Sequence, residues 1–412
     1  MRNRLRCPSV RVEVVTSWSE LASFRDEWSA LLGRSSSNEP TLSPTWLGAW
    51  WQTFGNDDGR KLRVALVFRG DRLVGLAPLY ARRVWYRNAI PLRRLELLGS
   101  GERQEDEICS DYINIIAEAG QEPLIARAVV TALVRGQLGG WDELVLDTMN
   151  ANAPMTGQMV QKLASAGCKV TEEPRRPCPY VTLPGSWDEY LAALSGNGRY
   201  TVRRALRDLE KWAGDSVELV RARDPAEVER GLAILVDLHG ERWQQAGREG
   251  VFRSEKFLAF HRQVMPELLA REALDLLCLR CKGEPVASVY NIVWNNKVYF
   301  YQSGRRTDLP RQIRPGIAIH GYAIQHAIAQ GRTVYDFLSG VSQYKSHLST
   351  AENPLVQVRA TPRRSLAALL YRQAMRSEDA VREVRRRWRE YRAGSRPSDE
   401  RADASSPTSS ER

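Results

Sequence analysis

Two stretches of the chain share one pattern of apolar and polar positions. Residues 62–79 read LRVALVFRGDRLVGLAPL, and residues 274–291 read LDLLCLRCKGEPVASVYN. Each is an apolar run rich in β-forming residues, then a short polar turn, then a second apolar run, which is typical of a β-hairpin. A helical segment, a glycine and another predicted strand follow each copy, as GGWDELVLD at 139–147 and QGRTVYDFL at 330–338. The repeat predicts two similar α+β domains in tandem.

The spacing of apolar residues predicts the other elements of the second copy. The strand VYFYQSG is expected at 298–304, after the hairpin. Helices are expected over about 187–194, 198–213, 225–246, 254–270 and 317–330. The fold class is therefore predicted to be mixed α/β, of the α+β kind.

Domain limits follow from changes in composition. The Pro-rich segment EEPRRPCPYVTLP at 172–184 reads as turns and predicts a boundary between an N-terminal domain at 10–180 and a C-terminal domain at 186–360. Apolar residues at helical spacing predict an amphipathic C-terminal helix over 364–393. The polar composition of 395–412 predicts a disordered tail.

The composition argues against several classes of protein. The chain is 43% hydrophobic and 26% charged, and no apolar stretch approaches the ~20 residues that a membrane-spanning helix needs. Its basic N-terminus lacks the apolar core of a secretory signal. Six scattered cysteines argue against a disulfide framework. We therefore expect a cytoplasmic protein without a transmembrane segment.

The net charge of +11 does not by itself predict a nucleic-acid-binding protein. Residues 361–412 contain 13 Arg and 8 acidic residues, so +5 of this charge lies in the tail, and no DNA partner is predicted. A basic protein still favours anionic ligands through its field. Cys278 and Cys281 lie three apart in a predicted strand, where their side chains face opposite sides, so no metal site is predicted.

The order helix, helix, hairpin, strand, loop, helix, strand resembles the Gcn5-related acyltransferase (GNAT) fold. HGERWQQAG, VYFYQSGRRTDLPRQIRPGIAI and TVYDFLSGVSQYKSHL look like the acetyltransferase family related to the cellulose-biosynthesis protein CelD. That family is similar to the Fem-type peptidyltransferases, which carry two GNAT-like domains. SPTWLGAWWQTFG and RLVGLAPLY extend the resemblance into the first half, so that it covers roughly residues 12–350.

The resemblance implies an acyl-CoA donor site in the C-terminal domain. A pantetheine arm lies between two splayed strands in the GNAT fold, and the following loop holds the pyrophosphate at a helix N-terminus. The loop departs from the usual Gln/Arg-x-x-Gly-x-Gly/Ala pattern at Ile313, which leaves charged tRNA open as an alternative donor. The implied donor-binding residues are Tyr301, Gln302 and Ser303 near the thioester, and Arg314, Pro315, Gly316 and Ala318 near the pyrophosphate.

Candidate catalytic residues lie in the segment YDFLSGVSQYKSHL at 335–348, which has no evident counterpart in the first copy. Acyl transfer needs charge stabilisation for an oxyanion and a proton for the leaving thiolate, and Lys345 and Tyr344 could supply these. Asp336 could orient Lys345 or take a proton from an acceptor amine. The structural alternatives are a surface lysine, a packed tyrosine, and a solvent-facing or capping aspartate.

Candidate acceptor-binding residues lie on two predicted helices. Arg199 and Arg203 are four apart on one helix and suit an anionic acceptor. Arg242 and Trp243 end the long helix that follows. The alternative is a solvated helix face for the arginines and a core position for the tryptophan.

Together these features predict an acyltransferase, in particular an N-acetyltransferase. Acetyl-CoA or another acyl-CoA would be the cosubstrate, with no permanently bound cofactor. The acceptor would be an amine on a sugar, a polysaccharide precursor or a related small metabolite. Two alternatives stay open: a Fem-type aminoacyl-tRNA-dependent transferase, with tRNA as a partner, and a non-catalytic binding module in surface-polysaccharide assembly.

Overall fold

The computed structural model describes residues 10–340, 343–363 and 365–375. The elements of the first half are β1 (Arg11–Val15), α1 (Trp18–Ser23), α2 (Arg25–Gly33), α3 (Pro44–Phe54), β2 (Lys61–Leu62), β3 (Val64–Arg69), β4 (Arg72–Ala77), β5 (Leu79–Tyr86), β6 (Ile90–Leu97), β7 (Ile116–Ala117), α4 (Glu122–Val134), β8 (Glu143–Asn150), α5 (Pro154–Ser165) and β9 (Lys169–Pro174). The elements of the second half are β10 (Cys178–Thr182), α6 (Trp187–Ala193), α7 (Gly196–Ala213), β11 (Glu218–Arg221), α8 (Pro225–Gln245), α9 (Glu255–Ala270), β12 (Leu274–Cys281), β13 (Glu284–Trp294), β14 (Lys297–Arg305), α10 (Pro315–Ala329), β15 (Val334–Asp336), α11 (Gln343–Leu348), β16 (Ala351–Asn353) and β17 (Leu355–Thr361).

Both predicted hairpins are confirmed. β3 pairs antiparallel with β4, and β12 pairs antiparallel with β13. The turn of the second hairpin has φ of +54° at Lys282 and +80° at Gly283, the left-handed conformation that a tight hairpin turn requires. Each half then forms a parallel strand pair around a helix, β6 with β8 across α4 and β14 with β15 across α10. The two halves therefore repeat one order of elements.

One strand of the second half belongs to a sheet of the first half. β10 lies between β15 and β16 in the sheet of the second half. β17, which follows β16, lies between β8 and β9 in a sheet of the first half. We call β1 to β9 with β17 the first unit, and β10 to β16 the second unit. Because β17 is hydrogen-bonded on both sides, the chain returns from the second unit and is tied into a first-unit sheet by backbone pairing.

The observed strands differ from the predicted ranges in two places. The Pro-rich segment at 172–184 was predicted as turns, but it contains the end of β9 and all of β10. The predicted C-terminal domain at 186–360 includes most of β17, which belongs to a first-unit sheet. Prolines hide the strand pattern here, yet the carbonyl of Pro179 still accepts a bond of 2.8 Å from the N–H of Phe337. The division of the chain into two domains is otherwise still a prediction.

Apolar side chains join the two units into a shared core. α3 packs on α9, and the rings of Trp46 and Phe260 meet edge-to-face with centroids 4.9 Å apart. One buried cluster contains these residues together with side chains of α8, and a second cluster fills the space between α7 and α10. Each large side chain buried in this way stabilises the fold by roughly 1.5–3 kcal/mol. The interface therefore holds the loops of the first unit against the second.

The described residues end in a short helical stretch. Residues 366–375 are helical, and Tyr371 is buried against Tyr86, with ring centroids 4.9 Å apart. The rest of the helix predicted at 364–393, and the tail predicted at 395–412, lie outside the described residues. Within the described part of the chain, no helix is long and apolar enough to cross a membrane.

Candidate active site

A gap opens between β14 and β15 in the second unit. The strands pair in parallel only where Lys297–Tyr299 lies beside Val334–Asp336. β14 also shifts its register against β13 so that Tyr301 is an extra residue, a β-bulge that bends the strand. Beyond this point two adjoining cavities lie along β14.

The first cavity lies at the N-terminus of α10 and has a volume of about 390 Å³. Arg314 is the N-cap of this helix and gives it no side-chain cap, and Pro315 needs no partner for an N–H. A helix N-terminus carries a partial positive charge that attracts anions. Four guanidinium groups line the same cavity: those of Arg242, Arg305, Arg311 and Arg314. We call this space the basic cavity.

The positive charge of Arg305 is disfavoured by its surroundings in the basic cavity. Burial lowers the pKa of Arg305, and the nearby guanidinium of Arg242 lowers it further. Gly316 leaves room beside them, since a Cβ at this position would lie 3.0 Å from Cδ of Arg305. Arginines recognise phosphate oxygens through several parallel hydrogen bonds. The basic cavity therefore suits a pyrophosphate.

A second cavity of about 230 Å³ adjoins the first, and we call it the inner cavity. Gln302 and Lys345 line it from the second unit, whereas Cys109 and Asp111 line it from the first unit. Three residues line both cavities: Arg242, Ser303 and Tyr344. An elongated ligand could therefore place an anionic end in the basic cavity and its other end between the two units.

The ammonium group of Lys345 points at the loop after β15. Nζ donates to the carbonyl oxygens of Phe337 at 2.8 Å, Leu338 at 3.3 Å and Ser339 at 2.9 Å. Burial lowers the pKa of Lys345, and the carboxylate of Asp111 acts in the opposite direction. An ammonium group has three N–H donors, and these three carbonyls use them. This arrangement favours a role in holding the loop, so the predicted charge-stabilising role stays a prediction.

Asp336 connects the two units. Its Oδ2 accepts a hydrogen bond of 2.7 Å from the phenol of Tyr112, and its Oδ1 accepts one of 2.8 Å from the N–H of Leu338. Burial raises the pKa of Asp336 to about 7 despite these two bonds. The carboxylate is 3% exposed and lines neither cavity. Its hydrogen bonds therefore favour a structural role over the predicted orientation of Lys345.

Tyr344 lies where the basic cavity meets the inner cavity. Its ring stacks on His320, with centroids 5.4 Å apart and an interplanar angle of 18°. His320 is buried, which lowers its pKa to about 3 and keeps it neutral. A phenol at this junction is well placed to give a proton to a departing thiolate, the role that the sequence predicts for it.

The predicted donor-binding residues separate into two groups. Gln302 and Ser303 line the inner cavity, and the predicted loop residues Arg314, Pro315 and Gly316 line the basic cavity. The phenol of Tyr301 instead donates to the carbonyl of Ile108 in the first unit. Ala318 is fully buried and lines neither cavity. Tyr301 nevertheless lines the inner cavity with Gln302 and Ser303, whereas Ala318 could contribute to donor binding only through its backbone.

The contacts of Arg199 favour a structural role, and its predicted acceptor role stays a prediction. Its guanidinium donates to the carbonyl oxygens of Leu191 at 2.9 Å and Ala192 at 3.2 Å, and so caps the C-terminal end of α6. Arg203 is exposed on α7 and lines none of the cavities described. Helical spacing placed both arginines on one face, but it could not show that the preceding helix ends against one of them.

Arg242 and Trp243 lie in different spaces. Arg242 lines both the basic cavity and the inner cavity, and its predicted contact with the acceptor stays a prediction. Trp243 lines a third cavity of about 550 Å³, which we call the acidic cleft. The cleft lies between residues 104–109 of the first unit and 249–254 of the second. Cys109 and Gln302 line both this cleft and the inner cavity.

Several residues of these cavities were missed by sequence reasoning. Arg305 and Arg311 flank the predicted loop, so the charge of RRTDLPRQIR could have indicated them. Cys109 and Asp111 carried no such signal, because they lie about two hundred positions from β14. His239 was missed as well; its Nδ1 lies 3.0 Å from the carbonyl of Ser303 and fixes α8 against β14.

Comparison with known proteins identifies the type of domain. Residues 196–346 match the model of the acetyltransferase (GNAT) domain family. A search of curated proteins finds no match. A conserved protein of unknown function from Bacteroides thetaiotaomicron shares 12% identity over 85% of this chain and 100% of its own, with a TM-score of 0.50. FemX shares 14% identity over 88% of this chain and 99% of its own, with a TM-score of 0.49. L-PGS from Bacillus licheniformis shares 14% identity over 71% of this chain and 87% of its own, with a TM-score of 0.41.

The chain therefore carries a GNAT acetyltransferase domain, and it is an acyltransferase enzyme. This confirms the predicted mixed α/β fold class and the predicted enzyme class. Domains of this type use acyl-CoA as cosubstrate and an amine as acceptor. Across the described residues, no group of three or more His, Cys, Asp or Glu side chains is arranged to hold a metal ion.

Proposed function

We propose that the chain transfers an acyl group, in the simplest case acetyl, from acyl-CoA to an amine of a sugar, a polysaccharide precursor or a related small metabolite. The observation that carries this proposal is the junction of the basic cavity with the inner cavity along β14. A coenzyme A molecule has the matching form, with phosphates at one end and a thioester at the end of a long amide-containing arm.

The residues present fit this donor in two places. Four guanidinium groups and the first turn of α10 are suited to the pyrophosphate. Gln302 and Ser303 lie on the bent part of β14, where polar side chains and free strand edges can bind the amides of the arm. The thioester would then lie in the inner cavity beside Tyr344.

The corresponding helix of the first unit lacks such a site, which supports the second unit as the donor-binding one. Glu122 lies in the first turn of α4 and is 5% exposed. Its Oε1 accepts a hydrogen bond of 2.8 Å from Ser36. A carboxylate in the first turn interacts favourably with the helix dipole and repels a phosphate. We therefore assign the first unit a supporting role in donor binding.

A comparison of ligands tests the donor. The melting temperature of the full chain would be measured with acetyl-CoA, free CoA and charged tRNA, and thiol release from acetyl-CoA would be followed with glucosamine as acceptor. We expect both CoA species to raise the melting temperature, because a ligand that binds only the folded state stabilises it. Stabilisation by charged tRNA alone would support the Fem-type alternative instead.

Two arginine substitutions sharpen this test. The double variant Arg311→Gln and Arg314→Gln should weaken CoA binding on the order of tenfold or more, since two charge-assisted contacts are lost. Arg230→Gln on the exposed surface of α8 removes the same kind of charge outside the cavities and serves as the control. Equal CoA affinity in the double variant and the control would overturn the donor site.

A further inference from the structure

A loop of the first unit is held rigidly at the inner cavity. The hydroxyl of Thr41 donates to the carbonyl of Asp111 at 2.8 Å. Ser110 accepts a bond of 2.9 Å at its hydroxyl from Trp46 and one of 2.9 Å at its carbonyl from Thr148. The neighbours Cys109 and Tyr112 have φ of +50° and +64°. Residues other than glycine rarely adopt this left-handed backbone conformation, and such backbone strain is typical of functional sites.

This loop places the carboxylate of Asp111 in the wall of the inner cavity. The residue is 2% exposed, and its Oδ2 accepts a bond of 2.7 Å from the N–H of Ser339. The side-chain hydroxyl of Ser339 also forms a hydrogen bond with this carboxylate. Gln302 and Ser303 line the same cavity from β14. A buried carboxylate thus faces the space where the proposed thioester lies, and it comes from the other unit.

The electrostatic surroundings suit a carboxylate that exchanges a proton. Burial raises the pKa of Asp111 to about 6, and the hydrogen bond from Ser339 and the ammonium of Lys345 limit the rise. A base is most efficient when its pKa lies near the working pH. Asp111 interacts electrostatically with six other charged or titratable groups: Glu107, Cys109, Cys178, Tyr301, Asp336 and Lys345.

The acidic cleft offers an approach for an amine. Glu105, Asp106 and Glu107 precede Asp111 on the same loop and line this cleft. Glu249 also lines it, opposed by the guanidinium of Arg253. Four carboxylates against one guanidinium attract a protonated amine and raise its local concentration. The cleft shares Cys109 and Gln302 with the inner cavity, so an acceptor can reach the donor through the cleft and not through the basic cavity.

We propose that Asp111 of the first unit is the base that binds the acceptor amine and takes its proton. The attacking nitrogen forms a C–N bond with the acyl carbon while the C–S bond breaks. The nitrogen attacks as the neutral amine, after its ammonium proton has passed to water. It loses one further proton to the carboxylate of Asp111 as the amide forms, and the sulfur leaves as a thiolate. Tyr344 gives its phenolic proton to the thiolate, and the carboxyl proton of Asp111 then passes to the phenolate through water, which regenerates both groups. This inference rests on the proposed function, and it makes the active site a product of both units.

The test compares Asp111→Asn with the wild type and with Asp275→Asn. Asp275 is also buried but pairs with Arg221, away from the cavities, so it controls for the loss of a buried carboxylate. With acetyl-CoA and glucosamine, Asp111→Asn should lower kcat/KM by about 10²–10⁴-fold, the usual contribution of a general base. The affinity for CoA, measured by calorimetry, should stay unchanged.

A pH profile separates a catalytic role from a structural one. In the wild type, the slope of log kcat/KM against pH should steepen below about pH 6, where Asp111 takes up a proton in addition to the amine. Asp111→Asn should lose the added slope. If this variant misfolds, Asp111→Glu provides a second test, since it should keep the break in slope at a shifted pH.

The two levels of the proposal fail in different ways. The role of Asp111 would be overturned if the wild type turned over and Asp111→Asn were equally active. The same pH profile in both proteins would also overturn it, and either result would leave the donor site intact. No binding of CoA by the wild type would overturn the proposed function itself.

Discussion

The phenol of Tyr112 donates a hydrogen bond to the carboxylate of Asp336 across 2.7 Å, although the residues lie 224 positions apart in the chain. Asn353 donates to the same phenol oxygen at 3.2 Å. The contact joins the loop that carries Asp111 to the end of β15, and the loop after β15 donates back to Asp111 through Ser339. The two units therefore fix each other's loops at the inner cavity.

Asp336 should give the protein a measurable dependence of stability on pH. Burial raises its folded-state pKa from an ordinary 3.8 to about 7, so the folded state binds this proton more tightly than the unfolded state. The resulting stability is fully present below about pH 4 and is lost as the pH rises through 7. Asp336→Asn lacks this titration, so the wild type should lose about 1 kcal/mol or more relative to it between pH 5 and 8. Urea unfolding at both pH values measures the difference, and a constant difference would show that Asp336 does not titrate in this range.

Lys345 should contribute to both stability and turnover. Lys345→Met keeps most of the side-chain volume but removes the three bonds to the loop carbonyls. Unpaired buried carbonyls cost about 1–3 kcal/mol, so the melting temperature should fall together with kcat. Lys345→Arg should recover these losses only in part, because a planar guanidinium cannot reproduce the contacts of a compact ammonium.

The predicted catalytic role of Lys345 would give a different result. A group that only stabilises charge in the transition state should cost ~10²–10³-fold in kcat at unchanged melting temperature. Measuring thiol release and thermal unfolding on the same samples of Lys345→Met distinguishes the two roles.

Local pattern was sufficient for most elements of the second unit. The helix predicted at 198–213 is observed at Gly196–Ala213, and the strand predicted at 298–304 is observed at Lys297–Arg305. Periodicity and turn residues determine such elements, and both are local properties of the chain. The loop between β14 and α10 was also predictable as a loop, because the order strand, loop and helix N-terminus is continuous in sequence.

Two features were not predictable in this way: the place of β17 in a first-unit sheet, and the contribution of Cys109 and Asp111 to the inner cavity. The partners of β17 lie about 200 positions earlier in the chain, and nothing in its own residues selects one sheet over another. Asp111 likewise reaches the inner cavity only because two units pack together. Arg199 shows the converse, since its helical face was correct but its guanidinium binds local carbonyls.

Gly316→Asp should abolish CoA binding. A Cβ at this position would lie 3.0 Å from Cδ of Arg305, so the new carboxylate would project among the guanidinium groups of the basic cavity. A negative charge there would occupy the pyrophosphate position and repel the ligand, and like charges placed together cost several kcal/mol. Gly316→Ala adds the Cβ without the charge and should keep most of the affinity. Calorimetry with CoA measures both, and equal affinity for Gly316→Asp and the wild type would contradict the site.

Val358→Pro should disrupt the first unit although residue 358 follows the whole second unit in sequence. Val358 is fully buried in β17, which pairs with β8 on one side and β9 on the other. Proline removes a backbone N–H from a strand that is bonded on both edges and should cost on the order of 3 kcal/mol. Val358→Ala keeps the N–H and controls for the lost side chain.

Hydrogen exchange shows where the effect of Val358→Pro is felt. If β17 completes the first-unit sheet, amides of β8 and β9 should lose protection in Val358→Pro, whereas those of β12 and β13 should be affected less. The same reasoning predicts that a fragment ending at residue 176 will aggregate, because it lacks β17 and exposes two unpaired strand edges. The prediction would be wrong if the fragment were soluble and folded cooperatively, or if the amides of β8 kept their protection in Val358→Pro. Either result would show that the first unit does not require β17. The other nine strands and the helices of the first unit would then be sufficient for its stability.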